Sequence, residues 1–494
     1  MDVLLIEPPY KSLKGVSLDC GYVMSLVSLA AYLRAAGIEA QVLSADLLLD
    51  LPPQNAVEID LVRYARGQDQ YEYAVLQDDH PVWRDLAAVV RKARPRAVGV
   101  TYMTPVKYAV ARVAEVVKAV DPEIPVILGG HHPTFCADEV LADPNVDFVV
   151  RGEGEVPFLA LIRQLLAGRR GWESVPGLTY REPGGDIRST AEPPLLADLD
   201  ALPFPARDAV IGCNFRRYRT HFAATARGCP SRCAFCCDRT LWHRKVRRRS
   251  VGNVLEELKE LKATYDVSYV DVTDGTFTYD PSYVRAFCER MIAEDLGIRW
   301  RCTARFDGLD AGLLRLMRKA NCSALYFGLE SGSRRILDSI HKGTNLEEIR
   351  RVGRMVRDSG LVSMVSVLVG LPDETDADVQ DTLALMRSLT ADLFDVNTYI
   401  PLPGTHLYDA LDEETRRSID WRKMGYKSLV GRFSPHIPEP RLRELVLEAH
   451  AVAEESKRRF RRRLPRLAAA EAASRVWALT RRLLPRRPRP ADEG

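Results

Sequence analysis

The chain has 494 residues, 46% of them hydrophobic and 28% charged, with a formal net charge of +3. That balance excludes a disordered chain, the absence of any run of 18 uncharged apolar residues excludes a spanning helix, and the scattering of most of the ten cysteines excludes a disulfide framework. The length predicts two to four domains, and a start of Met1-Asp2-Val3-Leu4-Leu5-Ile6, which enters a strand without a secretory leader, predicts a reducing, cytoplasmic setting.

Residues 1–190 alternate between short apolar strands and helices. Strands are predicted at Val3–Ile6, which runs into Pro8-Pro9, and at Ala40–Leu43, Ala97–Val100, Val126–Leu128 and Phe148–Val150. Helices are predicted at Met24–Ala36, stopped by Gly37, and at Trp83–Ala93, Val106–Ala119 and Pro157–Leu166. Such β-α repeats give a doubly wound, Rossmann-like parallel sheet covered on both faces. Residues 47–80 lack a pattern and form an excursion or lid. Gly129-Gly130-His131-His132-Pro133-Thr134 follows one strand and Arg151-Gly152-Glu153-Gly154-Glu155 another. Glycines at strand C-termini let a ligand approach the backbone, in the crevice where open sheets bind; they equally end strands in any such domain.

Residues 191–215 hold Pro193, Pro194, Pro203 and Pro205 and read as a linker. Residues 216–405 alternate again, with strands predicted at Phe222–Thr225, Tyr269–Val272, Arg299–Thr303, Ala324–Gly328, Val365–Val369 and Asp395–Tyr399 and a helix at Val251–Thr264 behind the N-cap Ser250. Six such units make a partial (β/α)6 barrel, whose site lies at the C-terminal ends of its strands.

The first barrel strand leads into Arg227-Gly228-Cys229-Pro230-Ser231-Arg232-Cys233-Ala234-Phe235-Cys236. Three thiolates spaced C-x3-C-x2-C can hold three irons of a cubane cluster and leave the fourth open. Soft thiolates also suit zinc, but a structural zinc takes four ligands, and Cys237, adjacent to Cys236, is poorly placed to be the fourth. No other metal site is evident, since no two of the nine histidines stand at i, i+4.

The cysteine run, with Phe235 before its last cysteine, resembles the signature of the radical S-adenosylmethionine (SAM) superfamily. In that family the open iron of a [4Fe–4S] cluster chelates SAM, whose reductive cleavage yields a 5′-deoxyadenosyl radical. The resemblance implies that Cys229, Cys233 and Cys236 ligate iron, that Glu330 of Gly328-Leu329-Glu330-Ser331-Gly332 contacts SAM, and that Arg305 forks onto a SAM carboxylate. Asp274 of Asp274-Gly275-Thr276-Phe277-Thr278 either faces SAM or, like Asp373, caps the helix that follows.

Residues 1–190 resemble the cobalamin-binding domain that precedes many radical SAM barrels. The match lies in Pro8-Pro9, Thr101-Tyr102-Met103-Thr104, the Gly-Gly-x-His-Pro-Thr turn and the Gly-Glu-Gly-Glu turn. It implies cobalamin contacts from Thr101, Thr104, Gly129, Gly130, His131, Gly152, Glu153 and Gly154. The cobalt-ligating string D-x-H-x-x-G is absent: Asp78-Asp79-His80-Pro81-Val82-Trp83 has Trp where Gly is required. His131 and His132 are expected to hydrogen-bond rather than to ligate cobalt.

Arg244-Lys245-Val246-Arg247-Arg248-Arg249 reads as a solvated run or a border of the cofactor cavity; it lacks interleaved aromatics, and no nucleic-acid partner is expected. Residues 406–494 form a helical C-terminal region, where Trp421, Met424 and Tyr426 either pack a core or wall a substrate cavity. Residues 451–494 carry 13 Lys and Arg against five acids, a charge of +8, which leaves −5 for residues 1–450. Basic residues alternating there with Phe460, Leu464 and Trp477 can lie on an anionic membrane or form a solvated helix.

By resemblance, the cofactors are a [4Fe–4S] cluster, SAM and cobalamin, and the partners are a small-molecule or lipid-like substrate and an electron donor of flavodoxin or ferredoxin type. The implied reaction is methyl transfer from methylcobalamin to an unactivated carbon. Some relatives cyclise or contract rings without methyl transfer. A non-catalytic cobalamin sensor or scaffold is a third reading, opposed by the intact cysteine triplet.

Overall fold

A computed structural model describes residues 1–9, 24–48, 77–217, 220–425 and 433–483, and of residues 217, 220 and 466–483 the backbone alone. Most of the expected excursion (49–76) and Tyr426 lie outside the described residues.

The first sheet has seven strands in the order β2-β1-β3-β4-β5-β6-β7. They are β1 (Val3–Glu7), β2 (Ala40–Ser44), β3 (Ala97–Thr101), β4 (Val126–Gly129), β5 (Phe148–Val150), β6 (Leu178–Arg181) and β7 (Ile187–Ser189). The first five are parallel, as expected, but β6 and β7 add an antiparallel hairpin at the edge. That hairpin is silent in the sequence because all of β7 is exposed and alternates nothing. Within β1, Leu4 and Ile6 enter one core while Val3 and Leu5 enter the core on the opposite face. Both faces are therefore packed, the condition for a parallel sheet.

The proline-rich segment 191–215 is docked rather than loose. Ala206 N–H donates to Val27 O (3.0 Å) and Ile211 N–H to Val42 O (2.8 Å). Ala209, Val210 and Phe215 are buried with Val27 and Val42. Buried Arg207 reaches on to Phe222 O and to the Glu257 carboxylate, both at 2.7 Å. Lack of periodicity predicts a connector, but apolar burial and one buried ion pair fasten it to both halves.

The second sheet has six parallel strands in the order β15-β14-β13-β12-β11-β8. They are β8 (Thr220–Ala223), β11 (Tyr269–Val272), β12 (Arg299–Ala304), β13 (Cys322–Glu330), β14 (Val362–Val369) and β15 (Leu393–Thr398); β9 (Ala226–Arg227) and β10 (Arg247–Arg248) form a separate antiparallel ribbon. This is the expected partial barrel. Its outward side chains, Val270, Val272, Trp300, Cys302, Leu325, Phe327, Val365 and Val396, fill the core under the surrounding helices. The alternate positions point into the lumen, because successive strand residues face opposite sides, and many are polar: Asp271 with Arg301, Tyr326 with Asp395, and Ser366 with Asn397 are bonded pairs there.

Trp421 and Met424 pack a core with Ile340, Leu371, Tyr399 and Phe433, which favours the packing alternative. The helix Glu439–Leu483 lies against β15 and buries Leu442, Leu445, Val446, Ala449 and Val452 in the barrel core. Phe460, read as one side of a membrane face, is buried on the chain's own body, and Arg463 bonds Asp392 and Arg357 O. Among the described residues no helix is long and apolar enough to cross a membrane.

Candidate active site

The cysteine loop is fixed at its entry, its flank and its exit. Asp274, buried at the end of β11, accepts from Thr225 N (2.7 Å), Ala226 N (3.0 Å) and the Thr225 hydroxyl. Burial pushes its carboxyl up, while those hydrogen bonds pull it down. Asp274 therefore holds the strand end leading into the loop. Both its oxygens are engaged by the backbone and hydroxyl of residues 225–226. Gly228 has φ +95, and a side chain there would collide with the carbonyl of Lys245. Beyond it, Cys229 Sγ lies 3.7 Å from Thr276 Oγ1, and Ala234 N–H donates to Ile340 O at 2.9 Å. Burial raises the Cys233 and Cys236 thiols; Lys342 and Arg305 pull Cys233 back. Three soft sulfur donors on one short loop, with cations beside them to offset thiolate charge, fit an iron–sulfur cubane. Cys237 faces the first domain instead: its sulfur, a His131 ring nitrogen and an Asp238 oxygen lie within 4.8 Å of one another.

Glu330 ends β13 in a left-handed conformation, φ +69, at a bulge where the register with β14 shifts. This places its buried carboxylate 2.7 Å from the Lys342 ammonium. A side chain at Gly328 would strike both groups. Burial opposes the Lys342 charge, but Glu330 beside it raises the ammonium pKa above its usual value. Arg305, expected to fork onto SAM, ties the loops together here: it donates to Ser231 Oγ at 3.2 Å, to Lys342 O at 2.9 Å and to Asp307 at 2.7 Å. Lys342 escapes a sequence reading because it sits in an unpatterned His-Lys-Gly-Thr turn. Its only signal is a lysine that the fold buries.

On the facing side, Gly130 has φ +116, and a Cβ there would come 2.9 Å from Tyr102 O. No other residue type suits that turn. Thr134 Oγ1 donates to Gly130 O at 2.7 Å and accepts from Gly152 N at 3.0 Å, so the two glycine turns are joined. His132 is buried, stacks on Tyr102 with ring centroids 4.3 Å apart, and shares a 3.0 Å hydrogen bond with Thr104 Oγ1. Burial lowers its pKa to about 4, so the ring is neutral, and its Nε2 has no partner among the described residues. His131 is also lowered by burial, against Asp238. A glycine cradle and an unsatisfied buried imidazole nitrogen at the strand ends fit a polar ligand such as cobalamin in the crevice. Thr101 is half-buried beside Gly130; a side chain at Gly129 would touch Val150 O at 3.6 Å, one at Gly154 would meet nothing, and Gly152, φ +73, faces Pro193 of the docked connector at 3.2 Å. His80, the residue of the defective cobalt string, caps the helix Pro81–Ala93 by accepting from Val82 N at 3.2 Å.

Glu153, of the same Gly-Glu-Gly-Glu turn, accepts from Arg227 (2.7 Å), Arg247 (2.6 Å) and Leu196 N (2.7 Å). Burial raises its carboxyl, but the two arginines prevail and lower it. Glu155 holds the second arm of Arg227. The basic run 244–249 is accordingly not a solvated patch throughout. Arg247 bonds Glu153, Arg248 lies 4.7 Å over the Tyr283 ring, and Arg249 bonds Glu257 and Ala224 O. The Gly-Glu-Gly-Glu turn thus grips Arg227, two residues ahead of Cys229. On the other flank a side chain at Gly404 would overlap the Phe135 ring, so the two halves are in close contact there too.

Comparison with known proteins agrees with this geometry. Residues 224–386 match the radical SAM superfamily and residues 10–162 the B12 binding domain. An uncharacterized methyltransferase of Pyrococcus horikoshii is 31% identical over 343 residues, 69% of this chain and 74% of that protein. The anaerobic magnesium-protoporphyrin IX monomethyl ester cyclase of Rubrivivax gelatinosus is 32% identical over 344 residues, 67% of this chain but only 61% of the cyclase. Among solved structures, the radical SAM methyltransferase TsrM of Kitasatospora setae shares the fold, with a TM-score of 0.61 at 18% identity over 83% of this chain and 75% of that one. A B12 binding domain takes cobalamin, and a radical SAM domain takes a [4Fe–4S] cluster and SAM. The chain therefore belongs to the radical SAM superfamily, as a cobalamin-dependent enzyme with its B12 binding domain ahead of the barrel.

Proposed function

We propose that the chain is a methyltransferase that methylates an unactivated carbon of a small molecule. The observation that carries this reading is the grip of Glu153 and Glu155 on Arg227, which couples the turn of the B12 binding domain to the start of the cysteine loop. When bound, cobalamin supplies a methyl group and the cluster with SAM supplies a radical. The chain's own part is to orient and to exclude water. In this reading Cys229, Cys233 and Cys236 hold iron, Glu330 receives the SAM ammonium, and Gly130, His131, Thr101 and Thr104 line the cobalamin crevice. The lumen pairs Tyr326–Asp395 and Ser366–Asn397 offer hydrogen bonds to a polar substrate rather than to a lipid tail. An electron donor of flavodoxin or ferredoxin type delivers the reducing electron.

The similarity to the Pyrococcus methyltransferase supports methyl transfer. The similarity to the Rubrivivax cyclase supports a second reading, oxidative cyclisation without methyl transfer. Reconstituted enzyme incubated anaerobically with SAM, cobalamin, a reductant and candidate substrates separates them. Methyl transfer yields S-adenosylhomocysteine together with 5′-deoxyadenosine; 5′-deoxyadenosine alone would rule it out.

A further inference from the structure

We propose that the exposed cations Arg232, Arg244 and Lys245 form a docking face for an acidic electron-donor protein, an assignment that rests on the reading of the cysteine loop as the cluster site. The basic run 244–249 divides in two. Arg247 and Arg249 are half-buried and hold the carboxylates of Glu153 and Glu257, and Arg248 lies over the Tyr283 ring. Arg244 and Lys245 are exposed, and so is Arg232, between Cys229 and Cys233. Among the described residues none of these three stands in an ion pair. Exposed cations are commonly just solvated, so their placement has to carry the inference.

His243 and Arg244 are both left-handed, with φ +48 and +59. Residues with a side chain adopt that conformation at a cost, so two in succession must be imposed by their surroundings. Trp242 is the anchor. Its N–H donates to Asp238 O at 3.0 Å, its carbonyl accepts from Lys245 N at 2.8 Å, and Arg247 lies 5.3 Å over its ring. The turn held in this way presses on the cysteine loop. Arg244 Nε donates to Pro230 O at 3.4 Å, and Gly228 must be bare because Lys245 O and Trp242 Cβ occupy the space beside it. Arg244 therefore stands against Pro230, next to Cys229 and two residues from Arg232. A solvated charge run needs no such turn, whereas fixing two cations against the cysteine loop does.

Cys229 and Cys236 are only half-buried, so the loop that would hold the cluster lies close beneath this face. A protein donor has to bring its own redox centre to the same place. One electron then leaves the reduced flavin of the donor and enters the cluster, and no atom moves. Fixed, unpaired cations around that entry attract an acidic surface, orient it and raise the rate of encounter, and salt screens the attraction.

The test uses the reconstituted full-length protein and two reductants, an acidic flavodoxin and photoreduced 5-deazaflavin, which is small and uncharged. Stopped-flow absorbance follows cluster reduction. In Arg232→Glu/Arg244→Glu/Lys245→Glu the second-order rate with flavodoxin is expected to fall about tenfold or more at low salt, with the gap closing as salt is raised. Iron content and the rate with deazaflavin stay as they are. Should the change at Arg244 disturb the loop, Arg232→Glu/Lys245→Glu leaves the bond to Pro230 in place and gives the same comparison. Arg458→Glu/Arg459→Glu/Arg462→Glu makes an equal change of charge on exposed residues of the helix against β15, the barrel edge opposite β8, and is expected to keep the native rate. An unchanged flavodoxin rate in the first variant, or an equal loss in the remote one, overturns the docking face. So does a native protein that deazaflavin reduces and flavodoxin does not. Reduction by neither agent would instead overturn the reading of the loop.

Discussion

The two sheets are built from the same β-α unit but use their faces in opposite ways. In the first, alternate residues of β1 enter two apolar cores, so both faces of the sheet are packed. Its chemistry is confined to the glycine turns beyond the strand ends. In the second, one face is apolar and the other is a polar lumen lined by Asp271, Arg301, Tyr326, Ser366, Asp395 and Asn397. The first sheet is a platform that presents loops, and the second is a container. They meet through charge: Glu153 and Glu155 of the platform hold Arg227 and Arg247 on the rim of the container.

That contrast gives four predictions. Arg227→Ala should have the largest effect, about 3–5 kcal/mol of lost stability, because it leaves buried Glu153 and Glu155 short of a partner. Chemical denaturation measures the loss, and a loss under 1 kcal/mol would mean that the halves do not depend on this contact. Gly130→Ala should cost about 1–3 kcal/mol through its positive φ and its contact with Tyr102 O. It should also lower cobalamin retention, read from visible absorption, while leaving the iron content of the barrel intact. Loss of iron with retention of cobalamin would reverse the division of labour.

Glu374 probes the container alone. Burial pushes its carboxyl up to about 8, although it accepts from Gly370 N and Leu371 N. A folded-state value above the ordinary 4.5 contributes stability that is full below pH 4.5 and is lost as pH rises through 8. Melting temperatures from pH 5 to 8.5 should fall more steeply in the native protein than in Glu374→Gln; parallel profiles would contradict this. Tyr326→Phe should have the smallest effect on stability, about 1 kcal/mol for the lost hydrogen bond to Asp395. It should reduce turnover without altering cobalamin or iron content, whereas normal turnover would remove the lumen from substrate binding.

The buried acids at the strand ends share a physical pattern. Asp274 and Glu153 were legible as acids at strand ends, where a ligand is expected, but their partners lie 49 and 74 residues away along the chain. The basic run 244–249 reads as a solvated run or as a border of the cofactor cavity, and Glu153 and Glu257 draw two of its arginines inward. Lys342 carried no pattern at all, and the β6–β7 hairpin failed to appear because an exposed edge strand has no alternation to read.

The sequence by itself determined the two β-α architectures, since alternation and apolar strand runs are local signals. It determined the cysteine loop, since three thiols within eight residues need no tertiary information to be recognised. It also determined the turn at Gly130, where the backbone requires a residue without a side chain. Only the tertiary structure decided which charges face a ligand and which face each other. An ion pair depends on where distant segments arrive, so it was the fold that set Glu153 against Arg227, Asp274 beneath Thr225, and Lys342 beside Glu330.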